Sequence, residues 1–201
     1  MEDLFNLNIK HIRNATLIDR DLSTQLLRES VHDFFMHKIL PDLHNKTVLE
    51  VGPAFTVHGV GTKGAYDFNT KELLLKQGNE YISCDINPNS GADIISDIIY
   101  IRNYLDSNSV DAIIALELLE HVAQVWKVPP AFWEILKPHG KIYVSSPYYF
   151  IYHDPKPDYW RISQDGYQLL FGNLFKIDLV KVIVEPDGDR PIHMRMIGEK
   201  R

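Results

Sequence analysis

Thr47-Val48-Leu49-Glu50-Val51-Gly52 and, further along, Tyr81-Ile82-Ser83-Cys84-Asp85 decide how this chain is read. Each is an apolar run of strand length that ends in a carboxylate, and the first runs straight into glycine. In an open α/β sheet, ligands sit at the carboxyl ends of the strands. A glycine there lets the backbone come close to a ligand, and an acid at the tip of the next strand accepts both hydroxyls of a ribose. A dinucleotide fingerprint would need three glycines to cradle a pyrophosphate. Here Pro53-Ala54-Phe55 follow Gly52. The loop therefore suits an adenosyl ligand that carries no pyrophosphate, and it counts against a nicotinamide dehydrogenase.

Working outward, Leu22, Leu26, Leu27, Val31, Phe34, Phe35 and Ile39 recur at helical spacing, which predicts a helix over 21–39 stopped by Pro41. Residues 46–51 read as a buried strand. Phe55 to Phe68, with its glycines, reads as a loop. Asn69 and Glu72 have the spacing of a capping pair, so a short helix is expected to about Gln77, ended by Gly78. Further strands are expected at 80–84, 92–95, 110–116 and 141–145, with 110–116 apolar almost throughout, as a strand covered on both faces should be. Pro129 and Pro130 open a helix that Pro138 and Gly140 close, and Ser163 or Asp165 starts another through Leu170. Lys176 to Glu185, a Pro-Asp-Gly-Asp turn, and Ile192 to Gly198 read as an antiparallel hairpin. The expected fold class is α/β: a Rossmann-like three-layer sandwich with a mostly parallel seven-stranded sheet and a C-terminal antiparallel hairpin. A single domain over 1–201 is expected, with residues 1–45 as a helical flank or lid and 46–201 as the ligand-binding core.

The bulk numbers exclude several classes. With 201 residues, one domain can bury a full core. A net charge of −6 argues against a general nucleic-acid binder, which needs clustered Lys and Arg. One cysteine, Cys84, rules out a disulfide framework and a cysteine-based zinc site. No apolar stretch spans a bilayer, and Met1-Glu2-Asp3-Leu4 lacks the basic head of a signal peptide. A soluble, cytoplasmic protein with no membrane partner is expected.

The order of these motifs resembles the class I S-adenosylmethionine-dependent methyltransferases, from about Lys46 to the C-terminus. Val-Leu-Glu-Val-Gly at 48–52 resembles the family's first motif, without its second and third glycines. Ser-Cys-Asp-Ile at 83–86 resembles the second, Ala-Asp-Ile-Ile-Ser-Asp at 92–97 the third, and 110–114 with Glu117-Leu118-Leu119-Glu120-His121-Val122 the fourth. Leu136-Lys137-Pro138-His139-Gly140 resembles the turn before the fifth strand. Tyr152-His153-Asp154-Pro155 and Asp158-Tyr159-Trp160-Arg161-Ile162-Ser163 are similar to segments of bacterial methyltransferases of polysaccharide and nucleotide-sugar pathways. The resemblance implies S-adenosylmethionine as cofactor, held by Glu50, Gly52, Pro53, Ala54, Asp85, Ile86, Asp97, Ile98 and Glu117, and an acceptor segment near 146–165.

Each residue also has a plainer reading. Gly52 could be a turn glycine, and Asp97 could be a helix N-cap as readily as an adenine ligand. Were 117–121 helical, Glu117, Glu120 and His121 would share one face and could hold a divalent cation. They resemble the metal motif of some ubiquinone-pathway O-methyltransferases, but Leu-Glu-His-Val also occurs in metal-free members, so no metal ligand is assigned. His153, just past the fifth strand, and His121 are the candidate catalytic bases, since a neutral imidazole takes a hydroxyl proton. The aromatic run Tyr148, Tyr149, Tyr152, Tyr159 and Trp160 fits sugars and bases, or core packing. Arg161 could meet an anionic acceptor, or pair with Asp158 or Asp165.

The expected function is methyl transfer from S-adenosylmethionine to a small polar acceptor, an oxygen of a sugar or nucleotide-sugar first. N-methylation, RNA or protein methylation, and a non-catalytic binding or scaffold role are the alternatives. The expected partner is the small-molecule acceptor, not nucleic acid, with a homodimer left open.

Overall fold

The computed structural model describes residues 20–53, 69–184 and 191–201, with the side chains of 20–23 and 179–184 excepted. Ala54, the Phe55–Phe68 loop and the Pro-Asp-Gly-Asp turn lie outside the described residues. In chain order the elements are α1 (Arg20–Phe34), β1 (Thr47–Val51), α2 (Thr70–Lys76), β2 (Glu80–Asp85), β3 (Ile94–Ile95), β4 (Val110–Leu116), α3 (Val128–Ile135), β5 (Leu136–Pro147), α4 (Gln164–Phe171), β6 (Phe175–Val184) and β7 (Pro191–Lys200). The strands form one seven-stranded sheet in the order β3-β2-β1-β4-β5-β7-β6. β3 through β5 run parallel, and β7 is antiparallel to both neighbours.

Alternation along the central strands builds the three layers. Val48, Ala112, Ile114, Leu116 and Tyr143 point to one face, under Val31, Phe34, Phe35 and Ile39, with Leu74 of α2 beside them. Leu49, Val51, Ile113, Ala115, Ile142 and Val144 belong to the other face, with Val128, Phe132 and Ile135 of α3 and Tyr167 and Phe171 of α4. Phe34, Phe35 and Ile39 are fully buried, each worth roughly 2 kcal/mol of apolar burial.

The local signals hold where capping sets them. Asn69 accepts the Glu72 N–H at 3.1 Å and starts α2. The reciprocal half of the pair is not made, because the Glu72 carboxylate takes Lys76 at 2.7 Å. Gly78 ends the turn at φ +78°. Ser163 caps α4 through Gly166 N–H.

Four boundaries differ from the sequence reading. The long first helix stays α-helical to Phe34, widens to a π turn over Phe35–Ile39, and tightens to a 3₁₀ turn at Leu40–Asp42, where Pro41 sits. The third strand is only Ile94–Ile95, because Asp93 turns its carboxylate back onto Ser83, at 2.9 Å from its N–H and 2.6 Å from its hydroxyl. α3 ends at Ile135, three residues short of Pro138, and β5 starts at Leu136 instead of Lys141. Between these points a bulge takes up the extra residues: Val110 pairs Leu136, and the next pair is Ala112 with Lys141. His139 sits at φ +61° in that bulge.

Candidate functional site at the carboxyl edge

β1 has β2 on one side and β4 on the other, so the chain reverses its winding between β1 and β4. That is the position where open α/β sheets bind ligands, just beyond the strand tips. Gly52 closes β1 at φ +65°, a left-handed turn that disfavours a side chain, and its N–H donates to Cys84 O at 2.8 Å. A Cβ there would lie 3.0 Å from Leu118 Cδ1. Pro53 is buried beside it. On the adjacent tip, Asp85 is half-buried, and Asn87 N–H steadies its Oδ1 at 2.7 Å. Burial lifts the Asp85 carboxyl above its usual range, against the pull of the Asn87 and Ile86 amides. Ile86 next to it is 68 % exposed.

Other sequence-predicted residues turn elsewhere. Glu50 is 4 % exposed and points to the α2 face, where its Oε2 accepts Thr70 Oγ1 at 2.6 Å and Tyr81 O–H at 2.5 Å. Burial raises its carboxyl in spite of these bonds. Asp97 is an N-cap, accepting Ile99 N–H at 3.1 Å at the head of a 3₁₀ turn over Ile98–Asn103. The Ile98 side chain is 3 % exposed and packs in the core.

Glu117 does not begin a helix. It takes φ +52° directly after β4, and a short 3₁₀ turn follows at Leu119–His121. The condition for Glu117, Glu120 and His121 to share a helical face is therefore not met. The reversal sends Glu117 to the α1 side, where Oε1 meets His193 Nε2 at 2.6 Å and accepts the Ser145 hydroxyl at 2.7 Å. His193 is fully buried and passes on to Ser30 Oγ at 2.6 Å, and Arg195 links Ser30 to Asp33 at 2.7 Å. Burial works to raise the Glu117 carboxyl. The charge and hydrogen bond of His193, with help from Ser145, overcome it and hold the group below its usual range. Glu117 Oε2 has no partner.

The segment after β5 lies over this turn. Glu120 O accepts Tyr159 N–H at 2.6 Å and Trp160 N–H at 3.3 Å, and His121 Nδ1 meets Pro157 O at 2.9 Å. Trp160 Nε1–H donates to Val122 O at 2.9 Å. Arg161 grips Asp158 with two bonds, at 2.5 and 2.8 Å, and donates to the carbonyls of Ile151 and Trp160. The Asp158 alternative thus accounts for Arg161, and Trp160 is held against the core. Tyr152 and Tyr159 are 62 % and 50 % exposed on the outer side of the segment. His153 comes within 5.1 Å of His121, ring centre to ring centre, at an angle of 72°. Burial lowers the His121 imidazole. The two candidate bases are thereby brought together at the β4 tip, beside Glu120.

The network through His193, Ser30, Ser145 and Arg195 escaped the sequence reading. Ile192-His193-Met194-Arg195-Met196 alternates apolar and polar residues, which reads as a half-exposed strand, whereas both faces are covered. A cleft of about 320 Å³ opens at the opposite edge of the sheet, between Asp42, Lys46, Asp111, Lys137 and Lys141. It lies at the amino ends of the strands, and its charges pair with one another: Lys137 with Asp111 at 2.8 Å and Lys141 with Asp42 at 2.7 Å. No helix among the described residues is long and apolar enough to cross a membrane.

No protein-family model and no curated protein sequence matches this chain. Solved structures do. A complex between the Haloferax volcanii Trm112 methyltransferase activator and a methyltransferase matches with a TM-score of 0.63, at 16 % identity over 94 % of this chain and 93 % of that one. An S-adenosylmethionine-dependent methyltransferase of Aquifex aeolicus matches at 0.60, with 15 % identity over 90 % and 95 %. The Burkholderia thailandensis 1,6-didemethyltoxoflavin-N1-methyltransferase, solved with S-adenosylhomocysteine, matches at 0.58, with 13 % identity over 94 % and 83 %. At such identities the likeness is one of architecture, and this chain shares the Rossmann-like α/β fold of these methyltransferases.

Proposed function

We propose that this protein transfers a methyl group from S-adenosylmethionine to a small polar acceptor, in the first instance a hydroxyl of a sugar or nucleotide-sugar. The observation that carries the reading is the pairing of Gly52, left-handed at the β1 tip, with Asp85 at the β2 tip, beside the point where the sheet reverses its winding. Asp85 would accept the ribose hydroxyls, and exposed Ile86 would lie against the adenine. Gly52 would leave room for the amino-acid end of the cofactor. The buried Pro53 would lie beneath it, while the Glu117 carboxylate is taken up by His193 and Ser145.

When bound, S-adenosylmethionine would supply a methyl group activated on a sulfonium, which an acceptor oxygen could take while the C–S electrons remain on sulfur as the thioether. Alignment and exclusion of water supply much of the acceleration, roughly 7–11 kcal/mol in well-oriented systems. The acceptor proton leaves to an imidazole. His153, on the segment that covers the site, is the first choice, and His121 the second. The preference for a sugar oxygen rests on the likeness of residues 152–163 to sugar-pathway methyltransferases.

The test is transfer of labelled methyl from S-adenosylmethionine to a panel of nucleotide-sugars and small alcohols. Label on an acceptor, with release of S-adenosylhomocysteine, is expected. His153→Ala should cut turnover by about 100-fold and leave cofactor affinity nearly unchanged. Full turnover in that variant removes His153 as base. Cofactor binding without transfer to any acceptor turns the reading toward a binding module.

A further inference from the structure

Glu120 is completely buried, and neither of its carboxylate oxygens has a hydrogen-bond partner. Burial, and then the nearby Glu117 charge, push its carboxyl well above the usual range, so the ionised form is held there only if a cation or another partner compensates it. Its own backbone N–H and the charge of Arg161 favour the ionised form, but neither makes a well-formed hydrogen bond to the carboxylate. His121 Nδ1 lies 2.9 Å from Pro157 O, and His153 Nδ1 lies 3.1 Å from Asp154 O. A carbonyl oxygen only accepts, so each Nδ1 carries the hydrogen. In a neutral imidazole, Nε2 is then a bare lone pair. His121 Nε2 stands 3.7 Å from Glu120 Oε1. One ligand atom from each of Glu120, His121 and His153 lies within 4.8 Å of the other two. One carboxylate and two imidazoles are thus gathered within reach of a single cation.

We propose that Glu120, His121 and His153 form a binding site for a divalent first-row transition cation such as Zn²⁺ or Co²⁺. Metal-bound histidines donate their other N–H to a backbone carbonyl or carboxylate, which fixes the tautomer and the ring. Both histidines here do so. Two imidazoles and one carboxylate suit zinc, cobalt, iron or manganese better than magnesium or calcium, which prefer oxygen alone. Three protein ligands leave a position open for water or a ligand oxygen. Donor atoms around tetrahedral zinc stand about 3.4 Å apart, so binding draws the side chains inward by up to about an ångström. His153 is half-buried and hydrogen-bonded within its own segment, to Asp158 and Asp154 O, so that segment would move with it. This is a different set from the one the sequence suggested. Glu117 is turned away onto His193, and His153 takes its place from across the site.

The proposal stands without methyl transfer, because it is read on protein alone; with the cation bound, the His121 and His153 lone pairs are taken by the metal and neither imidazole serves as the base. Metal-stripped protein would be titrated with Zn²⁺ by calorimetry and with Co²⁺ by visible absorption. One cation per chain is expected, with micromolar or tighter affinity and cobalt d–d bands. Glu120→Gln and His153→Ala should each weaken binding at least about tenfold. His139→Ala, at the opposite edge, should leave it unchanged. Glu120→Gln keeps the volume of the buried side chain, and His153 is half-buried on a mostly exposed segment. Circular dichroism of both variants would check that they are folded. A folded wild type that binds neither cation overturns the proposal. So does binding that survives either Glu120→Gln or His153→Ala.

Discussion

His193 shows how much a single residue can carry when both faces of its strand are covered. It is fully buried and spans from Ser30 Oγ to Glu117 Oε1, with 2.6 Å bonds at both ends. His193→Ala would open a cavity and leave the Glu117 carboxylate with only the Ser145 hydroxyl. A loss of about 3–4 kcal/mol is expected from the cavity and the broken buried pair, read as the shift in urea midpoint at constant m. A loss under about 1 kcal/mol would mean that water enters and satisfies Glu117. At this scale the sequence was legible only where local chemistry decides. Gly52 and Asp85 stand at strand tips because an apolar run ends there, and Asp97 caps a turn as its type prefers. Glu117 was not legible as a left-handed residue. Nothing local distinguishes it from the start of a helix, and its partner is 76 positions away.

Among the elements, the amino edge of the sheet is bolted by Asp111. Its Oδ2 accepts Thr47 N–H at 2.9 Å and Lys137 Nζ at 2.8 Å, tying β4 to the starts of β1 and β5. Burial works to raise this carboxyl, but Lys137 and the Thr47 amide hold it below its usual value of 3.8. A depressed carboxylate contributes stability that is present above its unfolded value and is lost as pH falls below it. Asp111→Asn should therefore destabilise the fold by about 1 kcal/mol near pH 7, discounted for the partly exposed lysine. Wild type and variant should converge as the pH drops below the ordinary carboxylate range. A difference that persists unchanged at pH 2 would contradict the ion-pair account. Element boundaries were legible where a cap or a capping glycine marks them, as at Asn69, Gly78 and Ser163. They were not legible at the start of β5, because the bulge around His139 and Gly140 takes up residues that read as a turn. Nor were they legible at β3, because Asp93 uses its side chain to replace ladder bonds.

For the whole molecule, alternation of apolar strands and helices was enough to give the layer order and the closing hairpin, because burial on both faces leaves near-continuous apolar runs. The positions proposed for the cofactor, at the β1 and β2 tips, are marked in the chain itself by glycine and acid. The half built from the covering segment was not legible: His121, His153 and Glu120 meet only because Tyr159, Trp160 and Pro157 are hydrogen-bonded across to the β4 turn. The central claim is that this edge of the sheet holds an adenosyl cofactor. The direct measurement is a calorimetric titration of the purified protein with S-adenosylmethionine and S-adenosylhomocysteine, beside Asp85→Ala. Micromolar binding of both by the wild type is predicted, weakened by about 100-fold in the variant, since two charge-assisted ribose bonds are worth about 3 kcal/mol together. No binding of either ligand by folded wild-type protein, or binding that Asp85→Ala leaves intact, would contradict it.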